Sequence, residues 1–219
     1  MATIPRATTV GLVVMSGLIG AGRATWADQT SRLSITVWVR NRAEVPNYLV
    51  SQAQAVVQRI FRKAGVATVW VAAPYDQGSS QESQFIIDIL SRDEANRLDV
   101  TRSAETLGVA PTSGFEPGRL AYVFYHRIGE ASRESEINPR YVLGIAMAHE
   151  LGHLLLPYGA HSTTGLMRAN WTTADLQRAA HGQLLFTREQ AELIRSRIGG
   201  LTPPEAHLQD LPQSCSRRP

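Results

Sequence analysis

The sequence predicts a mixed α/β domain in which a twisted sheet packs on an N-terminal helix and a later histidine-bearing helix, with a further helix at the C-terminal end. Three observations predict it. Leu33 to Asn41 alternates apolar and polar residues with β-branched side chains, as a half-buried strand does. Between Pro46 and Gly65, Leu49, Ala53, Val56, Val57, Ile60 and Ala64 recur at helical spacing. A second helix opens at Asn138-Pro139 and carries two histidines four residues apart.

The remaining elements follow in order. Arg62 and Lys63 suit the last turn of the first helix, and Gly65 closes it. Val66 to Ala72 and Gln84 to Ser91 are strands, Asp93 to Leu98 a short helical turn, and Leu107 to Ala110 a short edge strand before a Pro/Gly/Ser loop. Arg119 to Ile128 is an aromatic and β-branched strand, followed by a charged loop. The histidine helix runs to about Leu156, where Pro157 and Gly159 end it. Thr173 caps a short helix reaching Ala180, and Thr187 with Gln190 makes a capping box for a last helix whose apolar face includes Ala191, Ile194 and Ile198. From Gly199 the chain reads as a mobile tail. Trp38, Trp70, Tyr122 and Phe124 lie in strands and are read as mostly core.

Composition bounds the function classes. At 219 residues, 43% hydrophobic and 19% charged, the chain suits one folded domain with a sizeable core. Arg6 and the apolar run Val10 to Gly20 read as an export signal cleaved after Ala27, which puts the mature domain at 28–199 in a secreted or periplasmic setting. The formal charge of +3 falls to about +1 without Arg6 and Arg23, so there is no electrostatic footprint for nucleic acid. No segment after the signal is long and apolar enough to span a membrane. The lone Cys215, in the tail, cannot form an internal disulfide, and a metal here must rest on histidines and carboxylates.

The chemistry concentrates in A-H-E-L-G-H, residues 148–153. His149 and His153, one helical turn apart, project from one face and can reach one metal, while Glu150 is rotated by about 100° and faces a bound water instead. Zinc with three protein ligands and one water brings that water's pKa to roughly 7, and Glu150 is the expected general base for attack on a carbonyl. Small residues at Gly144, Ala146, Ala148 and Gly152 admit close neighbours. His161, after the helix stop, is the expected third ligand. His126 in its strand, His181 at a helix end and His207 in the tail are read as structural or solvated.

The stretch H-E-L-G-H-L-L-L-P-Y-G-A-H-S-T-T-G-L-M resembles the metzincin clan of zinc endopeptidases, and most nearly the matrixins. Ser162 after the third histidine fits the matrixin version, and Met167 fits the methionine turn. The resemblance implies a zincin-like fold, zinc as cofactor, a protein or peptide substrate and no nucleic-acid partner in a monomeric enzyme. It also implies a substrate pocket walled by Ala169, Asn170 and Trp171, and an edge strand near Leu107 to Ala110 that aligns an extended substrate. In one departure, seven residues separate His153 from His161 where the pattern has five. In another, Ala169 stands where some metzincins carry a tyrosine ligand.

Other readings compete. Glu189 or Glu192 on the last helix can supply the third ligand, as in thermolysin-like zincins. A zinc-binding module without catalysis is the alternative of a different class. Bacterial zinc ribonucleases lack the glutamate and need a basic surface, which argues against that class here.

Overall fold

The computed structural model describes residues 33–71, 84–98, 106–113 and 116–201. The expected export signal, most of the tail, His207 and Cys215 lie outside them. The elements are β1 (Ser34–Asn41), α1 (Asn47–Lys63), β2 (Ala67–Val71), β3 (Gln84–Leu90), α2 (Arg92–Arg97), β4 (Gly108–Val109), β5 (Thr112–Ser113), β6 (Glu116–Pro117), β7 (Leu120–Phe124), α3 (Tyr125–Ser135), α4 (Pro139–Leu155), α5 (Thr173–Ala180) and α6 (Arg188–Leu201). The main sheet has the order β2-β1-β3-β7-β4, and β5 and β6 form a separate hairpin. Among the described residues the fold is thus mixed α/β, with a five-stranded mixed sheet and six helices.

Strands β2, β1, β3 and β7 run parallel, and β4 pairs antiparallel with β7 at the edge. Parallel neighbours need a crossover, and α1 supplies the one from β1 to β2. The pairing sets rows of side chains that share a face. One inner row runs Val39, Ile87, Ala121, and the next runs Asn41, Ile89, Val123, Gly108. Ile87, Ile89, Ala121 and Val123 are fully buried, in one core with Val56, Val57 and Ile60 of α1 and Leu143, Met147 and Leu151 of α4. Each such side chain contributes about 1.5–3 kcal/mol through lost apolar surface. The opposite face holds a smaller cluster of Leu90, Ala95 and Phe124, together with Asp88, which is 1% exposed and paired with Arg40 at 2.5 and 2.8 Å. Trp38, Trp70 and Tyr122 are half-buried, so only Phe124 of the four aromatic strand residues is core.

Helix α1 forms because its apolar residues fall on one stripe uninterrupted by glycine or proline, and Pro46 sits just before its first residue. It ends where Gly65 takes φ +84° and the Val66 N–H reaches back to the Phe61 carbonyl at 2.9 Å. Helix α4 differs: thirteen of its seventeen residues are buried, so it runs through the interior. Asn138 caps it through the Arg140 N–H, with Pro139 at its first position, as the sequence predicts.

Gly144 is the closest approach of α4 to α1. A Cβ there would lie 2.6 Å from the Val56 Cβ and 2.9 Å from the Ala53 carbonyl oxygen. Alanine normally favours a helix interior by about 1 kcal/mol over glycine, but neither neighbour is the end of a flexible side chain. Gly144→Ala is therefore expected to destabilise the protein by about 1–3 kcal/mol, read as a lower midpoint in urea unfolding.

Four expectations need correction. The strand placed at Arg119 to Ile128 ends at Phe124, and Tyr125 to Ser135, half of it expected as loop, is helix α3. His126 accordingly sits in the first turn of a helix and not in a strand. The cap of α5 is Thr172, not Thr173, because Thr172 and Asp175 make the reciprocal capping box. The last helix passes through Gly199 and Gly200 to Leu201, where the sequence reads as the start of the tail.

Candidate metal centre

The centre is assembled by α4 and the chain from Pro157 to Trp171. His149, Glu150 and His153 come from consecutive turns of α4, whose burial and capping fix their directions. The Leu156 N–H makes the last α4 bond to the Gly152 carbonyl at 2.8 Å, and Leu156 then turns extended, as the residue before a proline prefers. Gly159 at φ +78° lets the chain reverse. His161 comes back beneath α4. Its Nε2 lies 3.1 Å from the His153 Nε2, which lies 3.0 Å from the His149 Nε2. Among the described residues, His149, His153 and His161 form a group whose ligand atoms all lie within 4.8 Å of one another and can hold a metal ion.

The chemistry of these donors fits a cation. The Nδ1–H of His149 donates to the Leu166 carbonyl at 2.9 Å, which leaves the Nε2 lone pair aimed at the other two rings. Burial pushes His149 down to about 4 and His153 down to about 3, so both imidazoles are neutral near pH 7. Ring nitrogens this close to one another become favourable around a positive ion in the tautomers that turn their lone pairs inward. The Glu150 carboxyl is 5% exposed, its Oε2 has no hydrogen-bond partner, and burial pushes it up to about 8.

Neighbours that sequence reasoning missed shape this arrangement. Gly108 ends the inner row of the sheet, facing α4. A Cβ there would lie 2.7 Å from the Glu150 Cγ and 2.8 Å from its Oε1, so only glycine leaves room for the carboxyl. The Leu166 carbonyl also accepts the Trp171 indole N–H at 3.1 Å, and the Trp171 ring stands edge-on to His149 with centroids 5.3 Å apart. No side-chain pattern announces either feature, since one is a missing Cβ and the other a backbone oxygen.

The other residues singled out in the sequence fall as follows. Met167 is fully buried, and a Cβ on Gly152 would lie 2.5 Å from its sulfur, so the glycine inside the histidine motif admits the methionine beneath the site. The turn is closed by the Ser162 N–H on the Met167 carbonyl at 2.9 Å and the Leu166 N–H on the Leu185 carbonyl at 2.8 Å. Ala169 and Asn170 are exposed and Trp171 is half-buried. This segment is pinned by the fully buried Asp175, which accepts from Arg168 at 3.0 Å, from the Thr172 N–H at 2.9 Å, and from Arg178. Glu189 and Glu192 are exposed on α6, and Glu192 pairs with Arg188 at 3.0 Å. His181 caps the end of α5, as the sequence predicts, with its Nδ1 on the Gln177 carbonyl at 2.8 Å.

Comparison with protein-family models gives no match for this chain, and neither does comparison with curated proteins. No described helix is long and apolar enough to cross a membrane.

Proposed function

We propose that this chain is a zinc-dependent endopeptidase of the metzincin kind, matrixin-like in its site and zincin-like in its fold. The observation that carries the reading is the convergence of the His149, His153 and His161 Nε2 atoms, with a buried glutamate, whose Oε2 has no hydrogen-bond partner, next to His149 in sequence. Three imidazoles suit zinc, and such a site leaves a fourth position open. When bound, zinc supplies a Lewis acid that polarises a carbonyl and makes a water acidic near pH 7.

The rest is performed by the chain's own groups. The Leu166 carbonyl holds the His149 ring in the tautomer that presents Nε2. The Glu150 carboxyl, buried one residue along α4 from His149 and outside the histidine group, takes the proton of the attacking water and returns it to the leaving amine. Burial raises its pKa, and a dication held by the three histidines would bring it back toward the carboxylate range. Strand β4, at the sheet edge and in contact with Glu150 through Gly108, offers free backbone groups for pairing with an extended peptide. Ala169, Asn170 and Trp171 are the residues assigned to the substrate pocket, and Trp171 is the one that stands against His149. The substrate class is protein or peptide, the enzyme acts as a monomer without nucleic acid, and its setting is secreted or periplasmic.

The thermolysin-like alternative is disfavoured by the exposed positions of Glu189 and Glu192 and by the nearness of His161 to the other two histidines. The test is incubation of the purified protein with a mixture of short unstructured peptides, with one equivalent of zinc and after chelation. Internal cleavage that requires zinc is expected. Cleavage unaffected by chelation would overturn the reading, and so would intact peptides with zinc bound, which would favour a non-catalytic zinc module.

A further inference from the structure

Helix α6 begins with a capping box. The Gln190 N–H donates to the Thr187 hydroxyl at 3.3 Å, and the Gln190 side-chain Oε1 accepts the Thr187 N–H at 3.0 Å. A glutamate would serve that purpose equally well. The amide nitrogen of Gln190 does something a capping box does not require. It donates to the Ala160 carbonyl at 3.3 Å and to the Ser162 hydroxyl at 3.1 Å, the residues on either side of His161. Both amide hydrogens are thereby used, and the side chain is 7% exposed, so water competes little for them.

The bracket falls where the fold holds the site least firmly. His149 and His153 are carried by a buried helix, whereas His161 is exposed on a loop that follows Pro157, Tyr158 and Gly159, all exposed. A Cβ on Gly159 would meet nothing within 4 Å. Ser162 continues the chain of bonds, since its hydroxyl accepts from Gln190 and donates to the Thr164 carbonyl at 2.8 Å.

We propose that Gln190 is the positioning residue for the third histidine of the metal centre: its amide N–H groups hold the Ala160 carbonyl and the Ser162 hydroxyl on either side of His161, while its side-chain oxygen caps α6. The inference rests on the zinc reading above. It goes further by assigning the fidelity of the exposed ligand to a residue of the last helix that touches no metal. Groups that orient a ligand from outside the coordination sphere typically tune metal affinity by about 10–100-fold.

The two duties of the side chain separate by substitution. Gln190→Glu keeps the acceptor for the Thr187 N–H and loses the donors to Ala160 and Ser162. Gln190→Met, of similar length, loses both and carries the test if the glutamate variant does not fold. Thr187→Ala removes the other half of the cap and leaves the Gln190 amide in place. The readouts are zinc affinity by competition with a chromophoric chelator and the melting temperature of the zinc-free protein. Gln190→Glu and Gln190→Met are expected to weaken zinc by about 10–100-fold. Thr187→Ala is expected to lower the melting temperature with zinc affinity within about twofold of wild type. Wild-type-like zinc affinity in both Gln190 variants overturns the inference, and so does equal weakening in Thr187→Ala, which would reduce Gln190 to a cap. Failure of the wild type itself to bind zinc overturns the metal centre, and this inference falls with it.

Discussion

Glu150→Gln is expected to lower peptide hydrolysis by about 10²–10⁴-fold while the zinc content stays at the wild-type level. The substitution keeps the shape of the side chain in the narrow space against Gly108. It removes the group proposed to take up a proton, and it leaves untouched the nitrogens of His149, His153 and His161, which can hold a metal ion. The loss should therefore appear in kcat with little change in KM, because the carboxyl acts on the water and not on the bound peptide.

The same variant has a stability signature in the zinc-free protein. Burial pushes the Glu150 carboxyl up to about 8 from an ordinary value of 4.5, so the folded state holds a proton that the unfolded chain releases. Stability is then lost as pH rises toward the folded value. His149 and His153 are pushed down, so they act in the opposite sense, with an effect that fades as pH rises through the unfolded value of about 6.5. Both proteins carry that histidine contribution, so Glu150 shows in their difference: between pH 6.5 and 8 zinc-free wild type should lose about 1.5 kcal/mol relative to Glu150→Gln. Urea unfolding of both proteins across that range reads the difference. An equal slope in both proteins would mean that the carboxyl is not held in this environment.

The second large effect concerns the metal. A ligand that binds only the folded state stabilises it by about 4 kcal/mol at a free concentration a thousand times its Kd. For a chain of this size that corresponds to a rise of about 8–16 °C in melting temperature. Loss of one of three imidazoles is expected to weaken zinc by at least about 100-fold, more than the usual effect of an outer-sphere group. At the same zinc concentration His161→Ala should then gain only about 1.4 kcal/mol, a rise of about 3–6 °C. His161 is exposed and packs little, so the zinc-free melting temperatures of the two proteins should nearly coincide.

Much of this was legible from local pattern, and the exceptions share a cause. Helix α4 announces itself through the Asn138 cap, Pro139 and the stop at Pro157, and its two histidines share a face by helical periodicity alone. Helix α3 gives no such notice. It starts directly from β7 at Phe124 with no side-chain cap, so the aromatic run of the strand passes into it without punctuation. It ends on Glu136 in the left-handed region instead of on glycine. His161 stands out in the sequence as a third histidine, but its approach to His149 and His153 depends on how Pro157 to Ala160 turn. Gln190 itself was visible as a capping residue, and its contact with the His161 loop is a tertiary event that no periodicity encodes. Gly108 belongs to the same class, because its neighbour across space is Glu150 while its neighbours in sequence are an ordinary edge strand.

The most direct measurement is the zinc content of wild type and His161→Ala by elemental analysis after dialysis against the same micromolar zinc buffer. One zinc per wild-type chain, and well under one in the variant, is the expected result. A full equivalent held by His161→Ala with unchanged affinity would contradict the three-histidine centre, and a wild type that retains no zinc would contradict the centre altogether.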